Sequence, residues 1–153
     1  MNFTPFFSGA LLASSLVFTA GARPHGKEPW PAPAAEKARK NPLASSPAVL
    51  QAARAVYTDK CEQCHGERGK GDGPEAMMYD VKPANFSDAK MMAEMTDGEI
   101  FWKISEGRQP MPSFKKQLTD LQRWQLVHFL RYFANKPVAR APSKAAKATS
   151  PNH

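Results

Sequence analysis

The chain is poor in the residues from which most metal and thiol sites are built, with two cysteines and four histidines in 153 residues. Cys61 and Cys64 have no second Cys or His pair to complete a four-ligand zinc site, because His25, His128 and His153 stand apart from one another. Their surroundings also lack the βαβ pattern that a thioredoxin-like redox pair needs. Charge is missing from the start of the chain, where residues 2–20 hold no ionisable side chain and the free amino terminus alone supplies a positive charge. Cysteine is missing near the end of that stretch, so no thiol is available there to receive a lipid. Acid is missing from the last eighteen residues, 136–153.

What fills residues 2–20 is an apolar run, Leu11, Leu12, Leu16, Val17 and Phe18, followed by the small-x-small sequence Ala20-Gly21-Ala22. This is the pattern of a secretory signal peptide over residues 1–22, cleaved after Ala22, and it predicts a periplasmic or otherwise exported protein. An uncleaved membrane anchor is the weaker reading, since the run is near the lower limit of the ~20 apolar residues that span a bilayer.

Residues 23–46 carry prolines 24, 29, 31, 33 and 42, with Pro47 just beyond, among Ala and Lys. That is linker composition, predicted to be extended and mobile. Residues 136–153 hold Lys136, Arg140, Lys144 and Lys147 with no acid, and too little apolar surface to order themselves, which predicts a basic disordered tail. The net charge of +7 resides entirely in these flanks, because residues 47–135 hold twelve basic and twelve acidic side chains. The high pI thus describes the two flanks and not a globally basic domain, and no nucleic-acid partner is expected. The flanks themselves suit either peripheral association with an anionic membrane or acidic partner, or simple solubilisation.

The strongest chemical signal is Cys61-Glu62-Gln63-Cys64-His65. Two thiols at this spacing can add to the two vinyl groups of one haem while the next residue, His65, reaches the iron. A plain disulfide would leave His65 unexplained. The haem would also supply apolar surface to a domain of about 90 residues, which by itself buries a modest core.

Three helices are predicted around this motif. Ser46-Pro47 is an N-cap followed by proline at the first helical position, opening a helix that runs to about Lys60, with Val49, Ala53, Val56 and Tyr57 on its buried stripe. Thr96-Asp97-Gly98-Glu99 is a capping box for a helix carrying Ile100, Phe101 and Ile104, closed by Gly107 in a left-handed conformation. Thr119-Asp120-Leu121-Gln122 caps a last helix ending near Ala134–Asn135. Its inward positions read as Leu121, Trp124, Val127 or His128, and Leu130 or Phe133, with His128 structural rather than a metal ligand.

A second iron ligand is predicted in the strap Gly107-Arg108-Gln109-Pro110-Met111-Pro112-Ser113-Phe114, where prolines on both sides stiffen the presentation of Met111. Met77 and Met78 follow His65 too closely to return to the opposite face of a haem, and Met91, Met92 and Met95 read as packing, with Met95 the second choice. Met111 follows His65 by 46 residues, enough chain to wrap around the haem edge. A His/Met pair favours ferrous iron and saturates it, which suits electron exchange and not substrate binding.

Together these residues resemble the class I c-type cytochromes, the bacterial monohaem cytochrome c domains. The resemblance runs through Val56-Tyr57, Cys61-x-x-Cys64-His65-Gly66, Gly71-Asp72-Gly73-Pro74, Pro83-Ala84-Asn85-Phe86, Thr96 to Ile100, Met111 to Phe114, and Arg123-Trp124 to Leu130-Arg131, covering about residues 47–135. It implies an all-α cytochrome c fold with crossing N- and C-terminal helices and one covalently bound haem c, its iron held by His65 and Met111. Ala53 stands where the family commonly has glycine, so the crossing is expected to be slightly wider. The resemblance also implies that the Pro74 carbonyl accepts a hydrogen bond from His65 Nδ1, with Pro83 as the alternative.

The function implied is single-electron transfer between respiratory or dehydrogenase partners, not catalysis. Arg108, Lys115 and Lys116 flank the strap and are candidates for docking such partners near the haem edge. A peroxidase-like haem enzyme and a haem-based ligand sensor are the alternatives. Both require an open sixth position, against which the Met111 strap argues.

Overall fold

The computed structural model describes residues 29–135, so the signal-peptide and basic-tail readings lie outside the described residues. Those residues form six α-helices and no β-strand: α1 (Ala34–Ala38), α2 (Pro47–Lys60), α3 (Glu62–His65), α4 (Ala89–Glu94), α5 (Asp97–Glu106) and α6 (Asp120–Asn135), with a 3₁₀ turn at Ala76–Met78.

Local signals set the ends of the three main helices. Val49 N donates to Ser46 Oγ at 3.2 Å, which satisfies one of the orphan amides at the start of α2. At α6 the capping box is reciprocal, with Gln122 N to Thr119 Oγ1 at 3.2 Å and Thr119 N to Gln122 Oε1 at 2.9 Å. At α5, Glu99 N donates to Thr96 Oγ1 at 3.1 Å, while the Glu99 carboxylate pairs with Lys103 at 2.9 Å, one turn further on.

The helices α2 and α6 make the most extensive helix pairing in the fold, and α2 brings its buried residues Ala53 and Tyr57 to the core. The Tyr57 ring meets Phe129 and Phe133, both at 5.2 Å between centroids, and its hydroxyl donates to the Gly66 carbonyl at 2.7 Å. Burial, reinforced by nearby Cys61, Glu62 and Asp72, holds the phenol pKa well above its usual range, so it remains a donor. A polar tie secures the other side of α6. Arg131 donates to Asp97 Oδ1 at 2.9 and 3.0 Å, to the Met95 carbonyl at 2.6 Å and to the Met92 carbonyl, joining α6 to the ends of α4 and α5.

Two sequence expectations are corrected here. Leu121 does not face inward; it is 53% exposed, whereas Arg123, Leu126 and Phe129 are buried along with Trp124, Val127, Leu130 and Phe133. The helix packs against α2, α4 and α5, so its buried surface is wider than the single stripe that periodicity assigns. The stretch read as an extended, mobile linker is also docked from Trp30 to Leu43. It contains α1, which packs on α5, and Arg39, whose guanidinium lies 4.5 Å from the Phe101 ring centroid. His128 completes the docking by donating from Nε2 to the Leu43 carbonyl at 2.9 Å, the structural role expected of it.

Gly107 ends α5 with φ of +65°, and its amide donates to the Lys103 carbonyl at 3.0 Å. A Cβ at this position would overlap the Pro112 carbonyl. Gly107→Ala is therefore expected to destabilise the domain by about 1–3 kcal/mol or more, read as a lower urea midpoint with an unchanged m-value.

Candidate haem site

Cys61 sits at the junction of α2 and α3, its amide donating to the Tyr57 carbonyl at 2.8 Å, and the single turn of α3 carries Cys64 and His65. So short a helix leaves its last carbonyls unpaired. The following loop folds back to satisfy them: Glu75 N bonds Gln63 O at 2.9 Å, Gly73 N bonds Cys64 O at 3.2 Å, and Gly71 N bonds His65 O at 2.8 Å. The glycine-rich sequence after the motif thus fixes the backbone that carries it.

Both cysteines are half-buried and are not joined in a disulfide. Burial, with smaller contributions from Cys64 and Asp59, pushes the Cys61 thiol up to about 12. Cys64 is raised by burial and by Glu75, whose carboxylate lies 3.7 Å from its sulfur.

His65 is held on two sides. Its ring stacks on Phe86 at 4.5 Å between centroids and 21° between planes, and Nδ1 donates to the Ala84 carbonyl at 3.2 Å. The acceptor is therefore neither Pro74 nor Pro83. The loop before Phe86, pinned by Phe86 N to Gly69 O at 2.6 Å, brings the carbonyl one residue after Pro83 to the ring. Burial lowers the His65 pKa, and the Ala84 bond opposes part of that effect. The imidazole is neutral at neutral pH, with Nδ1 engaged and Nε2 left as the metal-binding nitrogen.

Met111 is half-buried in a strap that starts at Gly107. Its amide donates to the Arg108 carbonyl at 2.9 Å in an isolated antiparallel bridge, and the intervening Gln109–Pro110 peptide is cis. The far side is tied to the last turn of α5 through Phe114 N to Ile104 O at 3.2 Å, Lys115 N to Ser105 O at 3.1 Å and Ser113 Oγ to Ser105 O at 2.6 Å.

A cavity of about 580 Å³ opens between these segments, lined by Cys64, His65, Ala84, Met111 and Phe114 among others. Cys61 is not part of its wall. Among the described residues, His65 and Met111 are the histidine and the methionine that line it. Met95 is engaged elsewhere, its sulfur 3.4 Å from Lys103 Nζ, and Met77 and Met78 are 94% and 73% exposed. Of the three candidate docking cations, Arg108 reaches the cavity, whereas Lys115 pairs with Glu106 at 3.0 Å and neither it nor Lys116 lines the wall. The lining residues that sequence reasoning missed include Lys60, Lys82 and Trp30, the last of which lies in the segment read as a linker. No local signal marks Lys60 or Lys82; for Trp30, a lone large aromatic among prolines was the available hint.

Residues 48–130, more than half of the chain, match the family model described as cytochrome C oxidase, cbb3-type, subunit III. Among curated proteins, none matches significantly. Of solved structures, a chain of the Kuenenia stuttgartiensis reducing HAO-like protein complex is 30% identical, covering 60% of this chain and 46% of its own, with a TM-score of 0.53. The present chain therefore spans about half the length of that neighbour. The KustC0563 c-type cytochrome is 29% identical, covering 53% of this chain and 95% of its own, with a TM-score of 0.47.

The residues present fit a covalently bound haem c. Two cysteines stand at the attachment spacing, His65 follows them with Nε2 available to a metal, and a cavity within the roughly 300–1,000 Å³ range of cofactor sites is lined by Cys64 and His65.

Proposed function

Because the chain belongs to the cytochrome C oxidase, cbb3-type, subunit III family, and is thus a monohaem c-type cytochrome, we propose that it serves as an exported carrier of single electrons. In this reading His65 and Met111 hold the iron from its two sides. When bound, haem c supplies a one-electron Fe(III)/Fe(II) couple, and the protein sets its potential and access. Cys61 and Cys64 retain the group covalently. His65 is held in one tautomer by Ala84 and in one orientation by Phe86. Met111 arrives on a strap tied to α5, and its soft sulfur favours the reduced state.

The observation that carries this reading is the convergence of His65 and Met111, from separate segments, on one cavity. Export is supported by the signal-like residues 1–22. No helix among the described residues is long and apolar enough to cross a membrane. Partners are other redox proteins, met through the cavity rim that bears Lys60, Lys82 and Arg108. A second reading, in which the domain relays electrons as a subunit of a larger oxidoreductase complex, draws support from the neighbour in the reducing HAO-like complex. Both readings share the same electron-transfer chemistry.

Stopped-flow mixing of the reduced holoprotein with an acidic one-electron acceptor provides the test. The rate is expected to fall steeply as salt rises, since exposed cations lose their reach within a Debye length of about 10 Å at 0.1 M. Sustained turnover of hydrogen peroxide would instead establish an enzyme and overturn the carrier reading.

A further inference from the structure

The family match begins at residue 48, yet the chain from Trp30 to Leu43 is built onto the same core. Gly98, in the first turn of α5, has no room for a side chain because the Glu36 carbonyl lies against it, with the Arg39 carbonyl 2.8 Å from an added Cβ. Arg39 stacks over Phe101 at 4.5 Å and Trp124 at 5.3 Å, and Asn41 Nδ2 donates to the Trp124 carbonyl at 3.1 Å. These contacts anchor the segment on α5 and α6, away from the cavity wall.

At the other end of this segment, Trp30 lines the cavity together with His65 and Met111. Its ring is tilted against Trp102 of α5 at 5.9 Å, with the Lys103 ammonium 5.6 Å and the Arg108 guanidinium 4.8 Å from its centroid. Arg108 is also the residue whose carbonyl receives the Met111 amide. One aromatic side chain therefore touches the base of the Met111 strap and forms part of the cofactor's wall.

We infer that Trp30 is a positioning residue for the Met111 strap and a shield of the iron, delivered from outside the family-matched residues by the anchored segment 30–43. The inference rests on the His65/Met111 reading. Its physical basis is twofold. A stacked guanidinium restrains the strap, and an apolar ring in the cavity wall keeps water out, which disfavours the more highly charged ferric state and keeps the potential high.

The test uses full-length holoprotein in four forms: wild type, Trp30→Ala, Trp30→Phe and Arg39→Gln. Imidazole is titrated into the ferric proteins, following loss of the weak near-infrared sulfur-to-iron band, and the reduction potential is measured beside it. Trp30→Ala is expected to bind imidazole about tenfold more tightly, with a lowered potential, and Trp30→Phe to stay near wild type. Arg39→Gln, which leaves every cavity residue in place, is expected to move both readouts in the same direction as Trp30→Ala by loosening the segment. Wild-type affinity and potential in Trp30→Ala and Arg39→Gln, with helix content and haem content intact, would overturn the inference while leaving the ligation reading untouched. A wild type without the sulfur-to-iron band would overturn both.

Discussion

Replacing Cys61 and Cys64 together with alanine is expected to leave no haem on the chain after extraction with acidified organic solvent, and to abolish the cooperative thermal transition of the mature protein. The two thiols are the only covalent anchors in the sequence. The cavity between α3 and the Met111 strap, about 580 Å³, is large for a domain of this size. A chain of about 90 residues lies near the lower end of what a single core stabilises unaided. Removing a large apolar group from its centre takes away contacts from Phe114 and the cavity face of His65, and admits water. Each kcal/mol lost lowers the midpoint by about 4–8 °C in a domain of 60–100 residues, so a loss of several kcal/mol removes the transition altogether. Single replacements are expected to keep the haem through the remaining thioether and to melt at intermediate temperatures. Haem that survives extraction in the double variant would show that another group holds it.

The second large effect concerns Met111→Ala. The variant is expected to lose the sulfur-to-iron band, to bind carbon monoxide in the ferrous form, and to show a lower reduction potential. Every tenfold loss of preference for the ferrous state lowers a one-electron potential by about 59 mV. The fold is expected to survive, because the strap is held by backbone bonds to Ile104 and Ser105 that do not involve the Met111 side chain. Met95→Ala is the matched control. Its sulfur faces Lys103 and it does not line the cavity, so the spectra should not change. If the Met95 variant loses the band and the Met111 variant keeps it, the strap has been assigned the wrong role.

The sequence was most legible where a local rule and a global one coincide. Ser46-Pro47, Thr96 and Thr119 cap helices whose apolar spacing independently marks the same starts, and α2, α5 and α6 lie where those signals place them. Cys61, Cys64 and His65 could be picked out as candidates because attachment spacing is local, and Gly107 was legible because a helix closed by positive φ selects glycine. The misses are all long-range. The carbonyl that meets His65 Nδ1 belongs to Ala84, nineteen residues away, and any residue could supply it, so no side-chain identity points there. Leu121 follows the expected period but falls on the solvent side of a helix surrounded on several faces. The segment from Trp30 to Leu43 looks like a linker because its prolines erase periodicity, yet Arg39, Asn41 and Trp30 each find partners far along the chain. Composition registers the absence of a helix pattern but not the presence of such partners.

The most direct measurement of the central claim is the spectrum of the wild-type holoprotein, oxidised and dithionite-reduced, through the visible and into the near infrared, before and after carbon monoxide. Ligation by His65 and Met111 requires covalent haem in a low-spin state, the sulfur-to-iron band in the oxidised form, and a reduced spectrum that carbon monoxide leaves unchanged. A high-spin oxidised spectrum, or prompt carbon monoxide binding by the native reduced protein, would contradict it.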